Sequence, residues 1–404
     1  MAHTRRTFVW NAAAWSAGAV LAGPPATTKG FFANEAVQIG LIGFGGRCRQ
    51  LLRALKLIPS TRITAVCDVW DVNRRAAEAA IDSEVFSTRD HHALLERSDV
   101  DAVLIATPDH WHVPMTIDAC RAKKDVFVEK PLTHDLAEGA AVVAAQNEHE
   151  RVVQVGTQQR SMPHLQEARE IVVGGQLGKV YKCRLTWNRN VKRGWVRPDV
   201  DPNKVDWKRF LGNAPEQPFD SYRFREWRWF WDFGGGLLTD LMVHWMDVVH
   251  WYLDLSEPAS AASIGDRFFP NTNWETPDTV QTLVRFPEDN LQVHFEGTFV
   301  NRRSRAMTEF MGTEATLYID RGRYEVHPEK PDGQYREKIL GSGERGLDFY
   351  DQPDAELLHL TDWLDCIRTR RKPRCPAEAG VKAAAVAHLA NRSLRSGQIA
   401  YWNS

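Results

Sequence analysis

Val37-Gln38-Ile39-Gly40-Leu41-Ile42 runs without a break into Gly43-Phe44-Gly45-Gly46-Arg47-Cys48, and Gln50 to Leu57 then reads as a helix. An apolar strand, a glycine turn and a helix in this order are what a dinucleotide-binding crossover requires. Gly43 permits the tight turn, and Gly45 lets backbone amides approach a pyrophosphate. The first helical turn adds unpaired N–H groups and the positive end of its dipole. Phe44, Gly46 and Arg47 complete the expected cofactor-binding turn, while Cys48 replaces the usual third glycine and is small enough for close helix packing. Asp68 follows the second strand 25 positions after Gly43. There a carboxylate accepts both ribose hydroxyls and repels a 2′-phosphate, so the expected cofactor is NAD in preference to NADP.

Around this unit, β-branched runs alternate with amphipathic stretches. Strands are expected at Val37 to Ile42, Ile63 to Cys67, Ala102 to Ala106, Val126 to Glu129 and Val152 to Val155. Helical patterns at Asn73 to Ile81 and Val113 to Lys123 separate some of them, as a doubly wound parallel sheet demands. After a helix near Leu165 to Val173 the strands lengthen and alternate with polar residues: Lys179 to Trp187, Thr279 to Phe286, Leu291 to Val300 and Ala315 to Ile319. The fold class is therefore α/β: an N-terminal Rossmann sheet at 35–156, then a C-terminal α+β domain at 157–404 with a large, mainly antiparallel open sheet. A Pro-, Trp- and Arg-rich loop from Asn188 to Phe233 is too long for a simple connector and is a candidate wall of a binding site. Helices at Ala355 to Arg370 and Ala377 to Arg395 close the chain.

With 404 residues, 43% of them hydrophobic and 25% charged, the chain has apolar surface for two cores and is not broadly disordered. A net charge of -1 supplies no field for nucleic acid or anionic lipid. Cys48, Cys67, Cys120, Cys183, Cys366 and Cys375 show no zinc-ligand spacing and read as buried thiols. Residues 1–34 differ from the rest. Arg5-Arg6-Thr7-Phe8 before an apolar stretch from Ala12 to Ala22 reads as a twin-arginine export signal, too short to span a bilayer in the mature protein. The expected location is periplasmic or otherwise extracytoplasmic, without stable membrane insertion.

Three further segments make the chain resemble the Gfo/Idh/MocA oxidoreductases. They are Ala106-Thr107-Pro108-Asp109-His110-Trp111-His112, Glu129-Lys130-Pro131-Leu132, and Gly234-Gly235-Gly236-Leu237-Leu238-Thr239-Asp240-Leu241-Met242-Val243-His244. The resemblance covers about residues 36 to 404 and is strongest to the secreted branch, which carries a Gly-Thr-Gln-Gln-Arg stretch, here Gly156 to Arg160. On its own chemistry, Lys130 lies at the carboxyl end of a parallel strand, facing the cofactor crevice. Asp240 and His244, four apart on a predicted helix, share a face that Asp247 and Trp251 continue. An imidazole beside a carboxylate suits removal of a hydroxyl proton as hydride leaves a carbinol carbon.

The resemblance implies that Lys130 polarises the substrate oxygen and that Asp240 and His244 act as an acid/base pair. It further implies Thr107, Pro108, His110, His112, Glu129, Lys130 and Gln158 at the cofactor, and Arg160, with His164, near the substrate. Aromatic faces stack on the C–H faces of sugars, so Trp187, Trp195 and Trp231 are the expected substrate platforms, within a cluster that includes Trp227, Trp229 and Tyr222. His110, His112 and His244 lack a further ligand at recognisable spacing, so no metal is expected.

The expected activity is NAD-dependent oxidation of a sugar, polyol or glycoside. One alternative is redox-neutral NAD-dependent chemistry by a glycosidase, lyase or epimerase; a glycosidase branch of the family lacks the lysine that this chain keeps as Lys130. Another is a non-catalytic nucleotide-binding sensor. Export favours a tightly held nicotinamide, because the space beyond the membrane has no pool to exchange with. The open sheet's exposed face suggests a homodimer or homotetramer.

Overall fold

The computed structural model describes residues 36–81, 83–190, 199–269, 273–340, 343–346 and 355–403. The export segment 1–34 and Trp195 lie outside the described residues.

Six strands form the first sheet: β1 (Val37–Ile42), β2 (Thr61–Cys67), β3 (Phe86–Thr88), β4 (Ala102–Ile105), β5 (Asp125–Val128) and β6 (Val153–Val155). All pair in parallel, in the order β3-β2-β1-β4-β5-β6. β4 and β5 are buried along their whole length, which is why they read as continuous apolar runs rather than as alternation. Strand order reverses between β1 and β4, and the crevice at their carboxyl ends is where such sheets take ligands.

The second sheet comprises β7 (Val180–Asn188), β8 (Ser260–Asp266), β9 (Thr279–Phe286), β10 (Leu291–Thr298), β11 (Ala306–Gly312), β12 (Ala315–Ile319), β13 (Arg323–Pro328), β14 (Arg336–Ile339) and β15 (Ala400–Tyr401). Its order is β14-β13-β12-β11-β7-β10-β9-β8-β15, antiparallel throughout except for β7 beside β10. Along β9, Val280, Thr282, Val284 and Phe286 turn inward and Gln281, Leu283 and Arg285 outward, the alternation of a sheet covered on one face. The covering layer is built from helices Val243–Leu253 and Ala377–Ser396, whose Trp245, Val249, Val386 and Leu389 share a core with Phe286, Val293 and Phe310.

The chain then returns to where it began. Helix Ala355–Thr369 lies within the stretch assigned to the second domain, yet its Leu360, Trp363, Leu364 and Ile367 enter the core that holds Val37, Ile39, Leu51 and Phe127. Trp363 is fully buried and meets the Phe127 ring edge-on at 5.7 Å. The described part of the aromatic loop also builds a small core of its own. Phe210, Phe224, Phe230 and Phe233 pack together against Val69 and Trp70, raising a wall over the first sheet's crevice.

Truncating Trp363 to alanine should cost about 3–5 kcal/mol, since a large buried ring leaves a cavity in the first sheet's core. Thermal and denaturant unfolding measure this. A loss below about 1 kcal/mol would mean that the helix is an appendage rather than part of that core.

Candidate active site

The glycine turn sits at the carboxyl end of β1. Gly43 has φ +82°, and a Cβ there would lie 2.9 Å from the Ala106 carbonyl oxygen, so only glycine fits. Gly45 and Gly46 differ: a Cβ on either would meet nothing within 4 Å, and helix Gly46–Leu55 starts with no side-chain cap. Open space above uncapped amides is the cradle that a pyrophosphate requires. Asp68 Oδ2 accepts from the Phe44 amide at 2.7 Å and Oδ1 from the Trp70 amide at 2.8 Å, which tie the acid to the turn. Burial pushes the Asp68 carboxyl up to about 6, opposed by these hydrogen bonds. Thr107 Oγ1 and Gln158 Oε1 are buried without a hydrogen-bond partner, as groups reserved for a ligand would be. The residues present therefore fit a nicotinamide dinucleotide.

A groove of about 790 Å³ lined by Gly43, Gly45, Gly46, Asp68, Thr107 and Pro108 merges with a smaller cavity of about 280 Å³. Arg47, Ala106, Thr107, Trp227 and Arg228 border both. Lys130, two residues past β5, reaches across this cavity. Its Nζ donates to Asp240 Oδ1 at 2.8 Å and to the Asp240 carbonyl at 2.7 Å. Asp240 stands on a π-helical turn, Leu238–Met242, that follows the glycine run and passes into helix Val243–Leu253. The helix is wider here than an α-helix, a departure often found at functional sites, yet Asp240 and His244 still face one cavity.

Charge in the cavity is set by burial first and by its cations second. Burial alone would raise Asp240, but Lys130 and Arg228 outweigh it and hold the carboxyl at about 2. For His244, burial and the positive charge of Lys130, Arg321, Arg47 and Arg189 act together and push the imidazole well below its ordinary value. His244 is therefore neutral at pH 7. Its ring stacks on Trp187 at 5.0 Å, and its Nδ1 is buried without a partner. Asp109, also on the cavity wall, is pushed by burial up to about 8 against the pull of Lys130 and Arg228. Glu129 accepts from Arg47 Nε at 2.7 Å, while Arg47 Nη1 reaches Glu356 on the returning helix, also at 2.7 Å. His112 is held between the Pro131 and Thr107 carbonyls at 2.6 and 3.0 Å and so joins the two motifs, with burial lowering its pKa to about 4.

The structure thus brings Lys130, Asp240, His244, Glu129, Arg47, Thr107, His112 and Gln158 to one cavity, with Gly43, Gly45, Gly46, Asp68 and Pro108 on the adjoining groove. Phe44 contributes its backbone amide, while its side chain lies in the core. Five expectations need correction. The Arg160 guanidinium is spent on a bidentate pair with buried Asp247 (2.8 Å), away from the cavity, and Asp247 is therefore not an extension of the catalytic face. His110 bonds the Phe210 carbonyl at 2.8 Å among aromatic rings and borders neither space. Trp231 packs against Arg395 outside both. Trp187 lines the cavity but is 1% exposed, with His244 on its ring, so it supports the imidazole instead of offering a sugar platform. Asp109, Arg189, Arg228 and Arg321 were missed; only Asp109 lies within a recognisable motif.

A glycine-turn groove that opens onto a Lys/Asp/His cavity between these two sheets defines a nicotinamide-dependent oxidoreductase. Two family models match in tandem: the oxidoreductase family with NAD-binding Rossmann fold over residues 37–157, and the GFO/IDH/MocA C-terminal domain over residues 204–318. The chain belongs to the Gfo/Idh/MocA oxidoreductase family. It is 24% identical to the uncharacterized oxidoreductase YrbE of Bacillus subtilis over 371 residues, 90% of this chain and 96% of that protein. Over 194 residues it is 33% identical to an inositol 2-dehydrogenase of Rubrobacter xylanophilus, covering 47% of this chain and 52% of that protein. Over 152 residues it is 38% identical to a glycosyl hydrolase family 109 protein of Saccharopolyspora erythraea, covering 32% of this chain and 33% of that protein. These last two alignments span about half and a third of the relatives. A levoglucosan dehydrogenase solved with NADH has the same fold, with a TM-score of 0.72 at 19% identity over 91% of this chain and 99% of that one.

The raised Asp68 carboxyl carries a prediction for cofactor binding. An acid titrating at about 6 is ionised at pH 7 and protonated at pH 5, so NAD affinity should fall about tenfold between them. Calorimetry across this range tests it, with Asp68→Asn expected to bind weakly and without that pH dependence. A flat profile in the unaltered protein would remove Asp68 from the ribose.

Proposed function

We propose that the chain oxidises a secondary alcohol of a sugar, polyol or glycoside, using NAD held between the glycine turn and the Lys130 cavity. When bound, the nicotinamide supplies the hydride acceptor. Lys130, pinned by both oxygens of Asp240 that it touches, presents its remaining ammonium proton to the substrate oxygen and stabilises negative charge there. His244, neutral because burial and neighbouring cations disfavour its charged form, takes the hydroxyl proton. Asp240 orients Lys130 and balances its charge. The observation that carries this reading is the Lys130–Asp240 contact with His244 on the same cavity wall, next to a groove shaped for the cofactor.

The redox-neutral alternative draws support from the glycosyl hydrolase family 109 relative. There, oxidation would acidify the neighbouring C–H before elimination or inversion. The same Lys130 and His244 would serve its first step, so the two readings diverge only after hydride transfer. The twin-arginine reading of residues 1–34 joins the proposal: the protein acts outside the cytoplasm and retains its nicotinamide. Protein expressed with its leader and freed of nicotinamide by gel filtration alone would contradict that retention.

Lys130→Met and His244→Ala should each keep the cofactor and lose turnover by about 100-fold or more. Turnover within about threefold of the parent would take the altered residue out of the mechanism. The pH profile supplies a separate check. An ordinary histidine base loses activity as pH falls through about 6.5; here the acid limb should lie well below that, because His244 resists protonation.

A further inference from the structure

We propose that Asp109 holds the hydroxyl next to the carbon being oxidised, so that the site selects a vicinal diol over an isolated secondary alcohol. This deepens the proposed function and rests on it. Asp109 opens the short helical turn Asp109–Trp111 that follows β4. The turn divides two spaces: Pro108 and Trp111 line the dinucleotide groove, whereas Asp109 and His112 line the catalytic cavity. Its neighbours are pinned. His110 bonds the Phe210 carbonyl, to which Trp111 Nε1 also donates at 2.8 Å. His112 is held between the Pro131 and Thr107 carbonyls, and its amide bonds the Asp109 carbonyl. A turn braced in this way presents its carboxyl group in one orientation, as recognition of a single hydroxyl requires.

Asp109 is 5% exposed, and among the described residues nothing hydrogen-bonds or pairs with its carboxyl group. A buried polar group left unmatched is costly unless a ligand completes it. Of the charges that act on Asp109, Lys130 acts most strongly, yet the Lys130 ammonium spends two of its three protons on Asp240. The third proton is the one assigned to the reacting oxygen. Asp109 lies in the field of that ammonium without being bonded to it, and so faces the oxygen on the adjoining carbon.

Burial decides which end of the hydrogen bond Asp109 takes. It raises the carboxyl group to about 8, opposed by Lys130 and Arg228 and assisted by Asp240 and Glu129. The other charged or titratable groups on the cavity wall, among the described residues, are Arg47, His112, His244, Arg189 and Arg321. At pH 7 Asp109 is therefore a neutral acid, whose O–H donates to a substrate oxygen while its carbonyl accepts from a hydroxyl. A carboxylate could only accept. A hydroxyl is donor and acceptor at once and satisfies both halves of the acid, whereas a C–H in its place leaves the acid unmatched. The protonated form prevails below about pH 8 and is lost above it, so substrate binding weakens as pH rises, the opposite sense to the NAD dependence assigned to Asp68.

The test gives the full-length holoenzyme methyl β-glucoside and myo-inositol, each with its set of monodeoxy analogues, and measures both turnover and calorimetric binding. Removing the hydroxyl beside the oxidised carbon should lower kcat/KM and affinity by about 100-fold, because the buried acid is left unpaired, while removing a remote hydroxyl should cost less than about fivefold. Asp109→Leu should shrink the larger ratio to below about fivefold. Asp109→Asn, whose amide still donates, should keep the discrimination and differ in its pH dependence: binding to the unaltered protein falls about tenfold from pH 7 to pH 9, and binding to this variant stays level. Discrimination that survives in Asp109→Leu, or an unchanged pH dependence in Asp109→Asn, would overturn the inference and leave the oxidoreductase reading intact. A loss of NAD affinity that accounts for the whole effect would also overturn it, by giving Asp109 to the cofactor. The expected binding pattern without hydride transfer would sink the oxidoreductase reading alone, and failure to bind any of these probes would overturn both.

Discussion

The contact between Lys130 and Asp240 is the interaction on which the site depends. Its two residues lie 110 positions apart, one just beyond a strand of the parallel sheet and the other on a turn that packs over the antiparallel sheet. With side chains only 12% and 20% exposed, neither charge is well hydrated, and removing the Asp240 carboxylate would strand the Lys130 ammonium at a cost of about 3–5 kcal/mol. The pair is therefore structural and chemical at once. Arg47 repeats the arrangement nearby, bridging Glu129, the residue after β5, and Glu356 of the returning helix. Together these ion pairs fix the cofactor groove against the catalytic cavity.

Burial then sorts the titratable groups into different states within one small space. Asp240 is an anion because Lys130 and Arg228 hold it low, whereas Asp109 on the same wall is a neutral acid at pH 7 because burial prevails over the same cations. His244 is kept neutral by burial and charge together. A fixed ammonium to polarise oxygen beside a neutral imidazole to accept a proton is the division of labour that alcohol oxidation needs.

Much of this was legible in the sequence, and for physical reasons. The glycine turn, Asp68 and the Glu-Lys-Pro segment each follow a strand of one parallel sheet built from βαβ units, whose geometry is local, so their positions at strand ends carry their placement. The second sheet was half legible. β9 alternates cleanly, but β8, β11, β13, β14 and the two-residue β15 were missed, and β13 carries Arg323 and Glu325 buried in an ion pair where apolar residues would mark a strand. The site residues that sequence reasoning misplaced all depend on remote partners. Arg160 finds Asp247 87 positions away, and Trp187 finds His244 across a sheet-helix interface, neither of which any spacing rule encodes. Arg321 sits in an unremarkable turn and is recognised only when the fold brings it to His244.

Hydride transfer at this site is the central claim, and one isotope measurement tests it most directly. The holoenzyme is given a sugar substrate deuterated at each ring carbinol carbon in turn and denatured within the first turnover, before hydride can return to a product, and the released nicotinamide is weighed by mass spectrometry. Deuterium on the nicotinamide from one of these positions, lost in Lys130→Met, is the predicted result, whether the chemistry ends as net oxidation or returns to a neutral product. Substrate conversion with no label on the nicotinamide from any position would contradict the account.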